Sequence, residues 1–92
     1  MKTKLLEIIN HYGIEHQQRK LQEEVFELQE AITIYENSSH SLKNGIEEEL
    51  ADVQNLLDEI RYYYDIRWER TSNIQLVKAD RQLERIKNET NN

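Results

Sequence analysis

Glu24 and Glu27 stand three residues apart, and so do Glu49 and Asp52. On an α-helix, positions i and i+3 share a face. Each pair can therefore offer two carboxylates to one point in space. Four carboxylates brought together repel strongly when ionised, and a hard divalent cation resolves that repulsion. Mg²⁺ takes oxygen ligands, prefers octahedral geometry and keeps some of its waters. Its open positions can receive phosphate oxygens and a nucleophilic water. Both pairs also border apolar positions, since Val25, Leu28, Leu50 and Val53 follow the four acids directly. An acid at the edge of an apolar stripe is less expected than one on a wet outer face.

The spacing has a second reading. Glutamates three or four residues apart occur on any solvated helix, and this chain carries 18 acidic residues. Glu23, Glu30, Glu47 and Glu48 offer other registers. Periodicity leaves open which glutamates face inward.

The elements that must position these groups are helices. The chain has no proline and two glycines, Gly13 and Gly45. Long stretches are thus free of helix breakers. A first helix is expected over about 3–11, carrying Leu5, Leu6, Ile8 and Ile9, with Gly13 able to take the left-handed cap conformation. A second is expected over about 15–36, where Leu21, Val25, Leu28 and Ile32 recur at helical spacing. Residues 37–41 read as a loop. A third begins between Ser41 and Asn44, with Asn44 and Glu47 at cap-like spacing. Its stripe is Ile46, Leu50, Val53, Leu57 and Ile60, widened by Leu56, and it runs to about residue 65. A fourth covers about 70–88, with Ile74, Val77, Leu83 and Ile86 inward. Residues 88–92 form a polar tail expected to fray. The boundary between the third and fourth helices, near 66–71, can be a break or a bend. Short connections favour antiparallel neighbours, so the fold class expected is an all-α, antiparallel bundle of about four helices.

This arrangement brings the pairs to one level. From Glu27 the second helix rises ~14 Å to the loop. The third then descends ~8–12 Å to Glu49, depending on where it starts. The two pairs therefore lie within about one turn of the same height.

Composition narrows the function classes. Ninety-two residues make one domain, residues 1–92. A chain this short buries little of its own surface. Lacking cysteine to staple it, it is expected to cover more apolar area by oligomerisation. The absence of cysteine also excludes a disulfide framework and thiolate chemistry. No stretch approaches the ~18 apolar residues of a membrane span, and the first residues lack a signal peptide's apolar run. A cytoplasmic location is the expectation. The formal charge of −6 argues against binding to a nucleic-acid polymer, which needs a basic footprint. It leaves nucleotides open, because a bound cation can reverse the local field.

The segment Lys20–Ile32, with Glu23-Glu24 doubled and Glu27 followed by Leu28, resembles the first signature of the MazG-like family. Ile46–Leu57, with its run Glu-Leu-Ala-Asp-Val, resembles the second. The lead-in Tyr12-Gly13-Ile14-Glu15 with Gln17, and the later Lys78–Ile86, are similar to the small stand-alone members. The likeness spans about residues 12–87. It implies an all-α enzyme, a homodimer or homotetramer, that hydrolyses nucleoside triphosphates to monophosphate and pyrophosphate. It implies Mg²⁺ as cofactor, with Mn²⁺ as a substitute, held by Glu24, Glu27, Glu49 and Asp52. By family analogy, a house-cleaning role in the nucleotide pool follows. At 92 residues the expectation is a short, stand-alone member without the second domain of the long ones.

Within that expectation, Glu24 and Glu27 are the candidates for general base. Lys78, Arg81 and Arg85 fall at i, i+3 and i+7, one helical face, and read either as a phosphate clamp or as a solvated face. Lys20, one turn before Glu24, is a weaker phosphate candidate. Asn55 and Gln17 lie on the faces of Asp52 and Glu24 and could hydrogen-bond a base or sugar. Trp68 and Tyr62–Tyr64 are expected to pack a core or interface rather than stack on a base. His11, His16 and His40 lack metal-ligand spacing and read as surface residues. The competing functions are a non-catalytic helical interaction protein and a nucleotide-binding regulator.

Overall fold

A computed structural model describes residues 1–38 and 43–90, with four helices and no strand among them. They are α1 (Lys2–Tyr12), α2 (Ile14–Glu36), α3 (Asn44–Tyr63) and α4 (Trp68–Thr90). The all-helical expectation holds. His40 and most of the expected 37–41 loop lie outside the described residues, as does the end of the tail, 91–92. Asn44 is already the first helical residue, and Lys43 occupies the cap position without a side-chain capping bond. Residues 88–90, expected to fray, continue α4, and the Thr90 hydroxyl donates to the Ile86 carbonyl at 2.9 Å.

A single residue joins α1 to α2. Gly13 has φ 88° and ψ 156°, so its φ is positive as expected but its ψ is extended rather than left-handed helical. That region belongs almost wholly to glycine. The Gly13 amide closes α1 on Ile9 O at 2.8 Å, and its carbonyl accepts the Gln17 amide at 3.1 Å. A Cβ at Gly13 would meet nothing within 4 Å. The cost of Gly13→Ala is therefore backbone strain alone, about 1–3 kcal/mol, measurable as a lowered urea midpoint. An unchanged midpoint would show that the corner relaxes freely.

α2 and α3 run antiparallel, since Gln17, early in α2, bonds Glu59, late in α3. α1 packs on both, mainly on α3, and buries Leu5 and Ile9. Leu56 of α3 completes the buried apolar core. The α2–α3 contact is not centred on the expected stripes. Val25 and Ile32 of α2, and Leu50 and Leu57 of α3, are exposed. The line of low exposure on α2 is Gln17, Leu21, Glu24, Leu28 and Ala31; on α3 it is Ile46, Glu49, Val53, Leu56 and Ile60, with Glu59 beside it. Acids occupy the positions where a hydropathy reading places aliphatics. That displaces each expected stripe toward its neighbouring face.

α3 ends in a Schellman motif. The Ile66 amide reaches back to Arg61 O at 2.9 Å, the Asp65 amide to Tyr62 O at 3.1 Å, and Asp65 has φ 54°. This break settles the boundary between the third and fourth helices at Tyr64–Arg67. Arg61 braces the elbow by donating to Ile66 O at 3.3 Å and to Asp58 at 3.3 Å. Beyond it, α4 buries no residue. Ile74, Val77, Leu83 and Ile86, expected to face inward, are exposed. Three helices pack together; the fourth extends from them. No described helix is long and apolar enough to cross a membrane.

Candidate metal centre

Glu24 holds a place in the α2–α3 contact that an aliphatic side chain would otherwise fill, and it is 6% exposed. Glu49 and Asp52 approach it from α3. One carboxylate oxygen from each of these three residues lies within 4.8 Å of the others. Burial grades outward across the cluster: Glu24 is buried, Glu49 half-buried and Asp52 exposed. Glu24 Oε2 and Glu49 Oε2 are both buried and accept no hydrogen bond. Buried acceptors are ordinarily satisfied, and this cluster of three acids could hold a metal ion.

The electrostatics describe a shared proton. The Glu49 carboxyl is pushed up to about 7 by its hydrogen bond to Glu24, by desolvation and by the charges of Glu24, Glu27 and Asp52. Burial pushes Glu24 up as well. Hydrogen bonds from Glu49, Lys20 and Glu27 outweigh that and leave it below the ordinary glutamate value. The two shifts run in opposite directions, so the cluster favours charge on Glu24 and the proton on Glu49.

Glu27 stands outside the triad but touches it. It is exposed, and the neighbouring Glu24 charge and hydrogen bond raise its carboxyl. Lys20 Nζ lies 3.2 Å from Glu24 Oε1 and 3.6 Å from Glu23. Its ammonium is held up chiefly by the hydrogen bond to Glu24. Asn55 is exposed one turn beyond Asp52. Lys78, Arg81 and Arg85 are all exposed on α4, which does not pack on α2. Within one chain, the fold does not bring these three cations to the carboxylates.

Gln17 departs from its expected role. It is 4% exposed, and both ends of its amide are used inside the protein. Its Nε2 donates to Glu59 Oε1 at 2.8 Å. Its Oε1 therefore accepts from His16 Nδ1 at 2.7 Å. Glu59 is 3% exposed, so Gln17→Ala would strip a buried carboxylate of a donor. The expected cost is about 2–3 kcal/mol, seen in the urea midpoint; a loss below about 0.5 kcal/mol, the surface-substitution range, would show water replacing the amide without penalty.

An open cleft of ≈ 350 Å³ adjoins Lys20, lined by Tyr12, His16, Gln17, Arg19, Lys20 and Glu23. Tyr12 and His16 stack there with ring centroids 4.6 Å apart and planes 15° apart. Tyr12, His16 and Arg19 stand outside the site residues expected from the sequence. A signal was present: His16, Lys20 and Glu23 fall at i, i+4 and i+7, the face that continues into Glu24 and Glu27. The break at Gly13 hid Tyr12 from that periodicity.

No family model, curated protein or solved structure matches this chain.

Proposed function

We propose that the chain is a Mg²⁺-dependent nucleoside triphosphate pyrophosphohydrolase of the MazG-like kind, releasing monophosphate and pyrophosphate. One observation carries the reading: three carboxylates from two helices converge within 4.8 Å, with two buried oxygens unpartnered. An all-oxygen, acidic donor set fits a hard divalent cation. Glu24, Glu49 and Asp52 would hold it, with Glu27 at its outer side; Mn²⁺ suits the same donors. When bound, such an ion polarises phosphoryl oxygens and makes a coordinated water a better nucleophile.

The protein's own residues supply the rest. Glu24 is kept ionised beneath the cluster. Glu27, exposed and with a raised carboxyl, is placed to take a proton from a water on the solvent side. Lys20, relieved of its carboxylate partner by a cation, would reach a phosphate. Arg19 and the Tyr12–His16 stack offer a cation and an aromatic face to the remainder of the nucleotide. The resemblance further implies a homodimer or homotetramer, and a house-cleaning role for the reaction.

The test is pyrophosphate release from a panel of ribo- and deoxyribonucleoside triphosphates, with Mg²⁺ and with chelator, for the wild type and Glu27→Gln. Release that needs the metal and is lost in the variant supports the enzyme and names its substrate. Binding without release points to a nucleotide-binding regulator. No binding and no release would leave a helical interaction protein.

A further inference from the structure

We propose that Glu59, acting through Gln17, locks the His16 ring in its Nδ1–H tautomer. His16 Nε2 is thereby a fixed hydrogen-bond acceptor, with which the cleft beside Lys20 selects a nucleobase carrying an N–H donor. The lock stands on the α2–α3 contact alone; the choice of a base rests on the nucleotide reading above.

The chain of bonds starts at a group without a choice. Glu59 is 3% exposed, and a carboxylate offers acceptors only. The buried Gln17 amide must therefore turn its NH₂ to Glu59, and Nε2 lies 2.8 Å from Glu59 Oε1. That leaves Gln17 Oε1, an acceptor, facing His16 Nδ1 at 2.7 Å. Only a protonated Nδ1 makes that contact a bond. In a neutral imidazole one nitrogen carries the hydrogen and the other the lone pair, so Nε2 is the acceptor. Which nitrogen holds the proton is set by the partner of the other, and here that instruction comes from a residue 42 positions beyond Gln17.

Two ring contacts hold the imidazole still. Tyr12 stacks on it with planes 15° apart, and His11 meets the Tyr12 ring edge-on at 4.7 Å. The stack fixes the plane of the imidazole; the bond to Gln17 fixes which edge faces the protein. The opposite edge, with Nε2, is left to the cleft that His16 lines and in which it is exposed. Arg19 and Lys20 offer that cleft donors only, which suit phosphate oxygens. Glu23 is a charged acceptor but lies 3.6 Å from Lys20. Nε2 supplies an uncharged acceptor beside an aromatic face, which suits the N–H edge of a base. An ionised phosphate has no donor for it. His16 is thus the specificity residue, with Gln17 and Glu59 as its positioning residues.

Nitrogen NMR of histidine-labelled, metal-free protein at about pH 8.5 reads the tautomer directly, with His11 as internal reference. The wild type is expected to show His16 protonated on Nδ1. In Glu59→Gln, an amide can serve Gln17 in either orientation, so part of the population should move to Nε2–H while circular dichroism shows the helices kept. Selection is read from KM for ATP and CTP against analogues without the exocyclic amino group, and for UTP against the analogue methylated on its imide nitrogen. For the base that is preferred, loss of the N–H should raise KM about 10-fold with kcat nearly unchanged, the scale of one neutral hydrogen bond. His16→Phe keeps an aromatic ring against Tyr12 and should bring that ratio to about one. Glu59→Gln, which touches no ligand, should lower it as well. A wild-type His16 protonated on Nε2, or a tautomer indifferent to Glu59→Gln, would overturn the lock. A wild-type ratio of about one, or a ratio that His16→Phe leaves intact, would overturn the selection. If no triphosphate is bound or turned over, the nucleotide reading fails and the selection with it, while the nitrogen spectra still decide the lock.

Discussion

Replacing Glu24 by glutamine is expected to lower pyrophosphate release at least about 100-fold, the scale at which even residues behind metal ligands act, while raising the metal-free melting temperature. The two effects have one origin. Glu24 is buried beside Glu49 and Asp52 with an oxygen unpartnered. An amide removes one charge from that crowd and supplies an N–H that the Glu49 carboxylate can accept. A residue kept at a cost in stability and needed for turnover is the pattern of a functional site. Thermal melts and a pyrophosphate assay on the same preparation decide it. Undiminished release would remove Glu24 from the chemistry. A lower melting temperature together with lost release would make its role a structural one.

Mg²⁺ is expected to stabilise the fold strongly and to abolish a pH dependence expected of the metal-free protein. At a hundredfold excess over its dissociation constant, a ligand bound only by the folded state adds about 2.7 kcal/mol. For a domain of this size that amounts to roughly 10–20 °C in melting temperature. The pH dependence follows from Glu49, at about 7 in the fold against an ordinary value of 4.5. Between those values the folded chain keeps a proton that the unfolded chain has released. Stability is then full below pH 4.5 and falls as pH rises through 7. Glu27, also raised, acts in the same direction. Glu24 is lowered and titrates below this window. A bound cation replaces the shared proton, so the Mg²⁺-induced rise grows from pH 6 to pH 8. An equal rise at both pH values would place any Mg²⁺ elsewhere, and no rise at all would sink the metal reading.

Much of this site is legible in the sequence. Two i, i+3 acidic pairs and a short connection suffice to predict that α2 and α3 face each other with the acids at one height, and Glu24, Glu49 and Asp52 do meet. What hydropathy hides is that the acids lie within the helix contact rather than beside it. Val25, Ile32, Leu50 and Leu57 are the better hydrophobes, yet they are exposed, because Glu24 and Glu49 hold the inner positions. The same blindness affects Gln17, a polar residue whose partner, Glu59, is far away in sequence. For α4 the expected inward residues fail for another reason: Ile74 and Val77 lie roughly 120–180° around the helix from Leu83 and Ile86, and all four are exposed. Local pattern announces that a face is apolar and is silent on which molecule covers it.

The two polar layers between α2 and α3 have a consequence for alignment. Gln17 and Glu24 are seven residues apart, as are Asp52 and Glu59. Gln17 pairs with Glu59, and Glu24 meets Asp52 two turns further along. Long antiparallel helices with uniform aliphatic contacts can slip by a heptad and lose little. Here a slip of seven residues in one direction sets Glu24 against Glu59, away from Glu49, and leaves one buried carboxylate facing another with no amide between them. A slip in the other direction sets Gln17 against Asp52 but carries Glu24 to the level of Gly45, away from Glu49 and Asp52. Buried polar contacts of this kind sacrifice stability for a single alignment. The hairpin is thereby keyed: the amide–carboxylate layer fixes which residues of α3 stand opposite Glu24, and the acidic cluster assembles in only one of the registers open to the two helices.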